Sequence, residues 1–315
     1  MGSRKELLAL QSLPLDIKVE KSKARIREWY DHWDGLVYVA FSGGKDSTVL
    51  KHLVDSIYSD VPAVYINTGL DLPEVRSFAL RQKNAVRIDP RLRFAEIVRN
   101  YGFPVVSKEQ AQYIYEFRRS KSESFKRYRW DGVGARKSGK IAERWKFLVN
   151  APFPVSHMCC HYLKKEPAVR YEREKERHPY VGLLAEESPL RQYRWIREGC
   201  NAFQAKRPTS APLSFWTEQD ILRYIRENGI EISSAYGRIE ADSSGRLFCT
   251  GRSRTGCALC AFGAHLEPCP NRFQQLAITN PALWRYGMEK LGMAAVLDYL
   301  GIPWKPIEIT KRNEE

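Results

Sequence analysis

The sequence predicts an α/β fold, a parallel sheet flanked by helices, on three observations. Short β-branched and aromatic runs recur at Leu36–Ala40, Ala63–Ile66 and Ala85–Ile88. Between them lie stretches with apolar residues at helical spacing, such as Val49, Leu50, Leu53, Val54 and Ile57. The first run ends in Gly43-Gly44, which turns the chain directly from strand into helix. Strands alternating with helices imply crossover connections. Ligands are therefore expected at the carboxyl ends of the strands.

Residues 1–35 read as a helical lead-in, in which Lys18 to Trp33 carries Val19, Ile26, Trp29 and Tyr30 amid charge. The α/β domain follows over 36–230. Its second strand leads into Asn67-Thr68-Gly69 and then Pro73, which suits the first turn of a helix because the amide it lacks has no partner there. Tyr180-Val181-Gly182-Leu183-Leu184 reads as a later strand returning to the sheet. Thr217 to Asn228 reads as a helix with Thr217 as N-cap and Gly229 as stop. Residues 231–315 form a small C-terminal region that contains cysteines and two or three short helices between Asn271 and Leu300.

The glycine turn carries chemistry of its own. Phe41-Ser42-Gly43-Gly44-Lys45-Asp46-Ser47-Thr48 follows a strand and opens a helix. Gly43 and Gly44 permit backbone angles that side chains obstruct. Their amides, with those of Lys45 to Ser47, can point into one concavity at a helix N-terminus. That is an anion cradle, strengthened by the helix dipole. Lys45 adds a mobile positive charge, and Ser42 and Ser47 add hydroxyl donors. Asp46 either binds a metal ion or caps the helix. The spacing is not that of Walker A, which has four residues between its first glycine and the Gly-Lys-Ser/Thr.

With 315 residues, 43% hydrophobic and 28% charged, the chain has the composition of a globular protein able to bury a large core. Lysine and arginine outnumber aspartate and glutamate by 51 to 37, a net charge of +14 that suits polyanionic partners. No apolar run is long enough to span a membrane, and the N-terminus lacks a signal-peptide core, so a cytoplasmic setting without membrane attachment is expected. From Phe117 to Phe147 cations alternate with rings. Arg118, Arg119, Lys121, Lys126, Arg127, Arg129, Arg136, Lys137, Lys140, Arg144 and Lys146 are interleaved with Phe125, Tyr128, Trp130 and Trp145. Cations for phosphates and rings for bases make up a single-strand or loop nucleic-acid surface, and an amphipathic helix pair with a solvated basic face shares that composition.

Seven cysteines in such a chain read as metal ligands or reactive thiols rather than a disulfide framework. Cys159 and Cys160 are adjacent, and Cys257-Ala258-Leu259-Cys260 is a CxxC pair. Four thiolates paired in this way suit a [4Fe–4S] cluster or structural zinc. Adjacent cysteines are awkward for zinc, which favours the cluster. Cys200, Cys249 and Cys269 read as small buried apolar residues, with Cys269 also kept as an extra ligand or sulfur carrier.

These motifs resemble, in order along about residues 36–265, the phosphoadenosine phosphosulfate (PAPS) reductase family of the PP-loop ATP pyrophosphatases. Ser42 to Ser47 is similar to the SGGxDS PP-loop. Thr68-Gly69 with Pro73-Glu74 is similar to a DTGxxxPE segment, with Asn67 in place of its aspartate. Cys159-Cys160-His161-Tyr162-Leu163-Lys164-Lys165-Glu166-Pro167 resembles the CCxxxKxxP element of cluster-containing adenylyl-sulfate reductases, whose second pair is also a CxxC. Gly182 through Glu186-Glu187-Ser188-Pro189-Leu190-Arg191 resembles their GxRREQSPTR strand end, and Phe215 to Ile225 their WT..DV..YI helix. There are also departures. Residues 270–315 contain no cysteine to act as the reductases' tail nucleophile, and Leu184 and Ala185 stand where the reductases have arginines.

The resemblance implies an adenine nucleotide α-hydrolase-like fold and an enzyme that cleaves ATP to AMP and pyrophosphate with Mg²⁺. The departures favour the branch that inserts sulfur into tRNA or DNA over PAPS or adenylyl-sulfate reduction. A non-catalytic nucleotide- or nucleic-acid-binding protein is the third reading. On the first, phosphates lie over Ser42, Gly43, Gly44, Lys45, Asp46 and Ser47, and adenine lies near Asn67, Thr68 and Gly69. Gly182, Glu187 and Ser188 complete the nucleotide site, Lys164 and Arg191 steady phosphates, and Glu186 or Glu187 serves as base or metal partner. Cys159, Cys160, Cys257 and Cys260 hold the cluster. The expected partners are a nucleic acid on 117–147, a sulfur donor such as a cysteine desulfurase, and a second copy in a homodimer.

Overall fold

The computed structural model describes residues 2–134 and 138–306. It divides into two compact units, each assembled from separated stretches of sequence. One comprises Met1–Asn67, Asp71–Asp89 and Pro167–Thr255, and the other Thr68–Leu70, Pro90–Glu166 and Gly256–Glu315. The described residues contain ten strands: β1 Val37–Ala40, β2 Ala63–Ile66, β3 Ala85–Ile88, β4 Val105–Val106, β5 His178–Val181, β6 Asn201–Ala202, β7 Thr209–Ser210, β8 Ile239–Ala241, β9 Leu247–Cys249 and β10 Ala261–Phe262.

The first unit is built on a six-stranded sheet of order β3-β2-β1-β5-β7-β6. Every neighbouring pair is parallel except β6 with β7. Alternation along β1 shows how both faces are covered. Val37 and Val39 point into the main core with Leu50, Leu53, Trp216 and Ile221. Tyr38 points the other way and packs with Val64 and Tyr171, the latter on helix Glu166–Lys175. A strand buried on both faces has no polar side to show, which is why β1 reads as an unbroken apolar run.

The lead-in holds two helices, Arg4–Gln11, closed by a Ser3/Glu6 capping box, and Leu15–His32. The second is anchored by polar groups as well as by Ile26 and Trp29. Ser22 Oγ accepts from Trp216 Nε1 at 2.9 Å and donates to the Pro212 carbonyl at 2.9 Å. Lys18, 2% exposed, reaches Asp220 at 2.6 Å, and Asp220 also caps helix Glu218–Glu227 by accepting from Thr217. The Trp-Thr-x-x-Asp segment thus ties the lead-in to the core.

Two local features differ from the sequence reading. Strand β5 ends at Val181, not Leu184, because Leu184 turns inward into the core and Ala185–Glu187 forms a 3₁₀ turn. Strands β8 and β9 form an antiparallel hairpin in the C-terminal region, ahead of the stretch read as helices, where no strand was expected. Its turn is closed by Asp242 Oδ1, which accepts from the amides of Ser244 and Arg246.

In the second unit, helices Phe94–Tyr101, Lys108–Arg119 and Glu123–Asp131 are followed by a 3₁₀ segment Glu143–Asn150 and a π-helical turn His161–Lys165. The tail holds helices Arg272–Thr279, Pro281–Arg285 and Met293–Tyr299. No helix among the described residues is long and apolar enough to cross a membrane.

Breaking a buried ion pair on one side leaves an unpaired charge, which costs about 3–5 kcal/mol. Asp220→Ala is therefore expected to lower stability by about that amount in urea unfolding. Lys18→Met combined with Asp220→Leu is expected to recover most of the loss, and equal losses in the single and double variants would contradict this.

Candidate functional site

Strands β1, β2 and β5 are adjacent and parallel, so the segments that leave their carboxyl ends emerge side by side. These are Phe41–Gly44, Asn67 and Gly182. Chain order reverses between β1 and β5, and such a switch point opens a crevice above the sheet. Gly43 has φ +73°, and a Cβ there would lie 2.9 Å from Val75 Cγ1. Gly44 caps helix Lys45–Asp55 with no side-chain cap, so the dipole end of that helix faces the crevice. A Cβ on Gly182 would come within 3.1 Å of the backbone of Asp46 and Ser47. Gly182 therefore serves the site by letting β5 lie directly under the first helical turn.

Hydroxyls surround the glycine pair. Ser42 Oγ and Ser47 Oγ lie 3.2 Å apart, and Ser47 donates to the Gly44 carbonyl at 2.8 Å. The Lys45 amide donates to the Tyr236 hydroxyl at 3.1 Å, which in turn pairs with Thr255 Oγ1 at 2.8 Å. Lys45 Nζ is drawn to Glu218 at 3.1 Å and donates to the Ser253 carbonyl at 3.0 Å. Burial opposes the ammonium, but Asp46 and Glu218 outweigh it and raise the Lys45 pKa. Burial holds the Asp46 carboxyl above the usual range; Lys45 opposes this and Glu218 adds to it. Asp46 Oδ1 is buried without a hydrogen-bond partner among the described residues, an orphaned acceptor facing the helix start. It would suit a metal ion or a protonated ligand.

Beyond β5, Glu187 pairs with Arg191 and, at 3.4 Å, with Arg254. Burial, then the charge of Arg254, lowers the Arg191 pKa. Ser188 caps helix Pro189–Glu198 by accepting from the Arg191 amide at 3.3 Å. Glu186 accepts from the Glu218 amide, and its carboxyl is raised by burial. Asn67 donates to Asp89 at 2.7 Å.

The first unit thus gathers Ser42 to Ser47, Asn67, Gly182, Glu187, Ser188 and Arg191. Thr68, Gly69, Lys164 and the two cysteine pairs belong to the second. There, Leu70 accepts from the Ala258 amide at 2.8 Å, so Thr68–Leu70 lies along the CxxC turn. Cys159 is buried, and its thiol is pushed up by a hydrogen bond to Cys160 and by burial. Cys160 is lowered to about 6, first by that bond, with Lys108, Lys164 and Lys165 assisting. Burial raises Cys260 to about 11, and the charges of Cys257 and Cys160 also act on it. The four thiols are therefore electrostatic neighbours. Even so, among the described residues no three Cys, His, Asp or Glu side chains converge on one point in a way that could hold a metal ion. The donor set has the right chemistry for a cluster or zinc.

Cys269 is exposed. Cys200 accepts from Ser214 Oγ at 3.4 Å, a packing role in keeping with its sequence. Cys249 lies nearer the chemistry than expected, because the charges of Lys45, Glu218 and Asp46 act on its thiol.

The family model for the phosphoadenosine phosphosulfate reductase domain matches residues 36–138 and 108–261, most of the chain. The chain belongs to this family. No curated relative matches the chain. Among solved structures, the phosphoadenylyl-sulfate (PAPS) reductase from Candida auris, a phosphate complex, matches at 15% identity and TM-score 0.38. That match covers 78% of this chain and 98% of the other, and at such a score it carries no structural argument.

The family's motifs do not include everything that meets the loop here. Tyr236, Glu218 and Ser253–Thr255 escaped the sequence reading as site residues. Glu218 reads there only as part of a helix start, and Tyr236 has no local signal. The Arg252-Ser253-Arg254-Thr255 run, one glycine before the CxxC, is the local cue.

Tyr236→Phe removes the hydroxyl that occupies the Lys45 amide. Pyrophosphate binding, measured by calorimetry, is expected to tighten about fivefold, the worth of one neutral hydrogen bond of about 1 kcal/mol. Weaker binding would make that hydroxyl a phosphate ligand instead of a competitor.

Proposed function

We propose that this member of the PAPS reductase family is an ATP-dependent sulfurtransferase that modifies a nucleic acid, tRNA or DNA. The observation that carries the reading is the start of helix Lys45–Asp55 at the carboxyl end of β1, with glycine at its N-cap and ringed by Ser42, Ser47 and Lys45. ATP would lie with its phosphates on those amides and on the Lys45 ammonium, its adenine near Asn67. An oxygen of the acceptor attacks the α-phosphorus and pyrophosphate leaves. The terminal sulfur of a persulfide on a donor such as a cysteine desulfurase then displaces AMP, which departs with that oxygen. A second thiol reduces the resulting disulfide, so that the donor cysteine leaves in a new disulfide. The acceptor ends with sulfur in its place.

Mg²⁺ would be held by Asp46 with the phosphates and would offset their charge. A [4Fe–4S] cluster, or zinc, would be held by Cys159, Cys160, Cys257 and Cys260 and would supply a sulfur-binding or structural centre. Lys45 and Arg191 steady phosphates and Glu187 orients Arg191. In the other unit, Lys164 lends positive charge to Cys160.

Against sulfonucleotide reduction stands the burial of Leu184 and Ala185, 2% and 1% exposed. Those two positions pack in the core and offer an anion nothing. One observation favours the reductase alternative: Arg254 brings a second guanidinium beside Arg191, so two cations flank Glu187. Sulfite formation from PAPS or adenylyl sulfate with a thioredoxin would establish that alternative.

Anaerobically reconstituted protein is expected to be brown and to contain iron. With ATP and bulk RNA or DNA it should release pyrophosphate and form thiolated nucleosides, detected by mass spectrometry. Lys45→Ala should slow pyrophosphate release about a hundredfold, as loss of one preorganised donor does. No pyrophosphate with any nucleic acid would overturn the proposal.

A further inference from the structure

The basic, aromatic stretch of the second unit is sorted by the fold into two sets that composition cannot separate. One set is internal. Arg129 is 8% exposed, pairs with Glu116, donates to the Gly139 carbonyl at 2.9 Å, and lies over the rings of Tyr113, Phe125 and Tyr128 at 4.2, 5.1 and 4.7 Å. That cation is a structural rivet that joins helices Lys108–Arg119 and Glu123–Asp131, and it is inaccessible to a polyanion. Arg136 and Lys137 lie outside the described residues.

The other set faces outward. Trp130 is 36% exposed, Phe147 43% and Tyr299 40%, large areas for rings on a chain with this much core. Lys146 Nζ sits 4.4 Å from the centre of the Trp130 ring, and Phe147 meets Tyr299 at 5.6 Å. Arg118, Arg119, Lys121, Arg127 and Arg144 are exposed on the same segments. Tyr299 lies far along the chain, on helix Met293–Tyr299, so the ring set is completed by the fold and is not merely a property of the 117–147 sequence.

We infer that Trp130, Phe147 and Tyr299 form a stacking platform for unpaired bases, with the exposed arginines and Lys121 receiving the backbone phosphates. The occupant is single-stranded nucleic acid, loop or open strand, and not duplex. Rings stack on any accessible base face, but paired bases are stacked on one another and offer a ring only their edges. Charge complementarity points to the same partner, since the chain carries a net +14. Rings flanked by a cation or by another ring are already held in place, which lowers the ordering cost of binding. The inference rests on a nucleic-acid acceptor, but its test does not require turnover.

Fluorescence anisotropy with labelled oligo(dT), oligo(rU) and a duplex of mixed sequence, over a range of salt, tests it on the full chain. Single strands are expected to bind more tightly than duplex. Trp130→Ala, Phe147→Ala and Tyr299→Ala should each weaken single-strand binding about tenfold with the salt slope unchanged. Trp130→Phe keeps a ring and should retain most of the affinity, which separates stacking from a folding defect. Arg119→Gln with Lys121→Gln should instead flatten the salt slope, by about 0.7 for each phosphate no longer neutralised. Equal or tighter duplex binding, or ring variants that bind like the parent, would overturn the inference. If oligonucleotides do not bind while ATP and another acceptor still yield pyrophosphate, the platform fails and the PP-loop chemistry stands. If oligonucleotides bind as described but no nucleotide does, the reverse holds.

Discussion

The constraint on which the nucleotide site depends is steric. The helix after β1 must start with its amides open, and β5 must pass directly beneath that start. Both conditions are met at glycines. Gly44 ends the turn without a capping side chain, and Gly182 leaves no Cβ to collide with Asp46 and Ser47 at 3.1 Å. A Cβ at 182 would require the end of β5 or the first turn of that helix to give by a few tenths of an ångström, next to the point where Ala40 lies opposite Val181. The positive helix start and the sheet's carboxyl edge are thus one feature, fixed by packing before any charged side chain is considered.

Charge is then arranged around that start in a balanced way. Lys45 is buried, and burial by itself disfavours its ammonium. Asp46 and Glu218 reverse this. Asp46, for its part, has a carboxyl held high and one oxygen unpartnered among the described residues. A site with a buried cation, a poised carboxylate and a ring of hydroxyls is neutral enough to fold without ligand, yet still presents donors to an incoming anion. Tyr236, Ser253 and Thr255 take up part of that donor capacity. The hydroxyl on the Lys45 amide occupies a position at a helix N-terminus that suits an anionic oxygen.

Local patterning made much of this readable. The runs that became β1, β2 and β3, the Thr217 cap and the Pro73 helix start all depend on neighbours within a few residues, and the structure has them where the sequence puts them. The glycine turn was equally legible, since strand, Gly-Gly and helix are contiguous. What escaped depends on long-range pairing. Tyr236 reaches Lys45 across 191 residues and Ser253 across 208, and no local pattern marks either. The β8–β9 hairpin was missed although Asp242, Ser244 and Gly245 make an ordinary turn signal. Arg129 shows the converse limit. Its composition is that of a nucleic-acid contact, and only the ring cage and Glu116 reveal it as internal.

The cysteines show how distant residues are gathered without a ligand to draw them. Phe103 exchanges backbone hydrogen bonds with Pro154 at 2.9 Å and Ser156 at 3.0 Å, just before Cys159. Two residues later β4 pairs with β10, in register from Val105 with Ala261, just after Cys260. One short stretch, Phe103–Val106, therefore threads between the two cysteine segments and sets their spacing through backbone ladders. Such ladders are obligatory, because buried amides and carbonyls must find partners, so the two pairs become neighbours as the unit folds. The Cys159 and Cys160 thiols are hydrogen-bonded, and the charges of Cys257 and Cys260 also act on Cys159. A cluster or zinc bound there would find the backbone of its ligands already ordered by these ladders, and less of its binding free energy would go into ordering the chain.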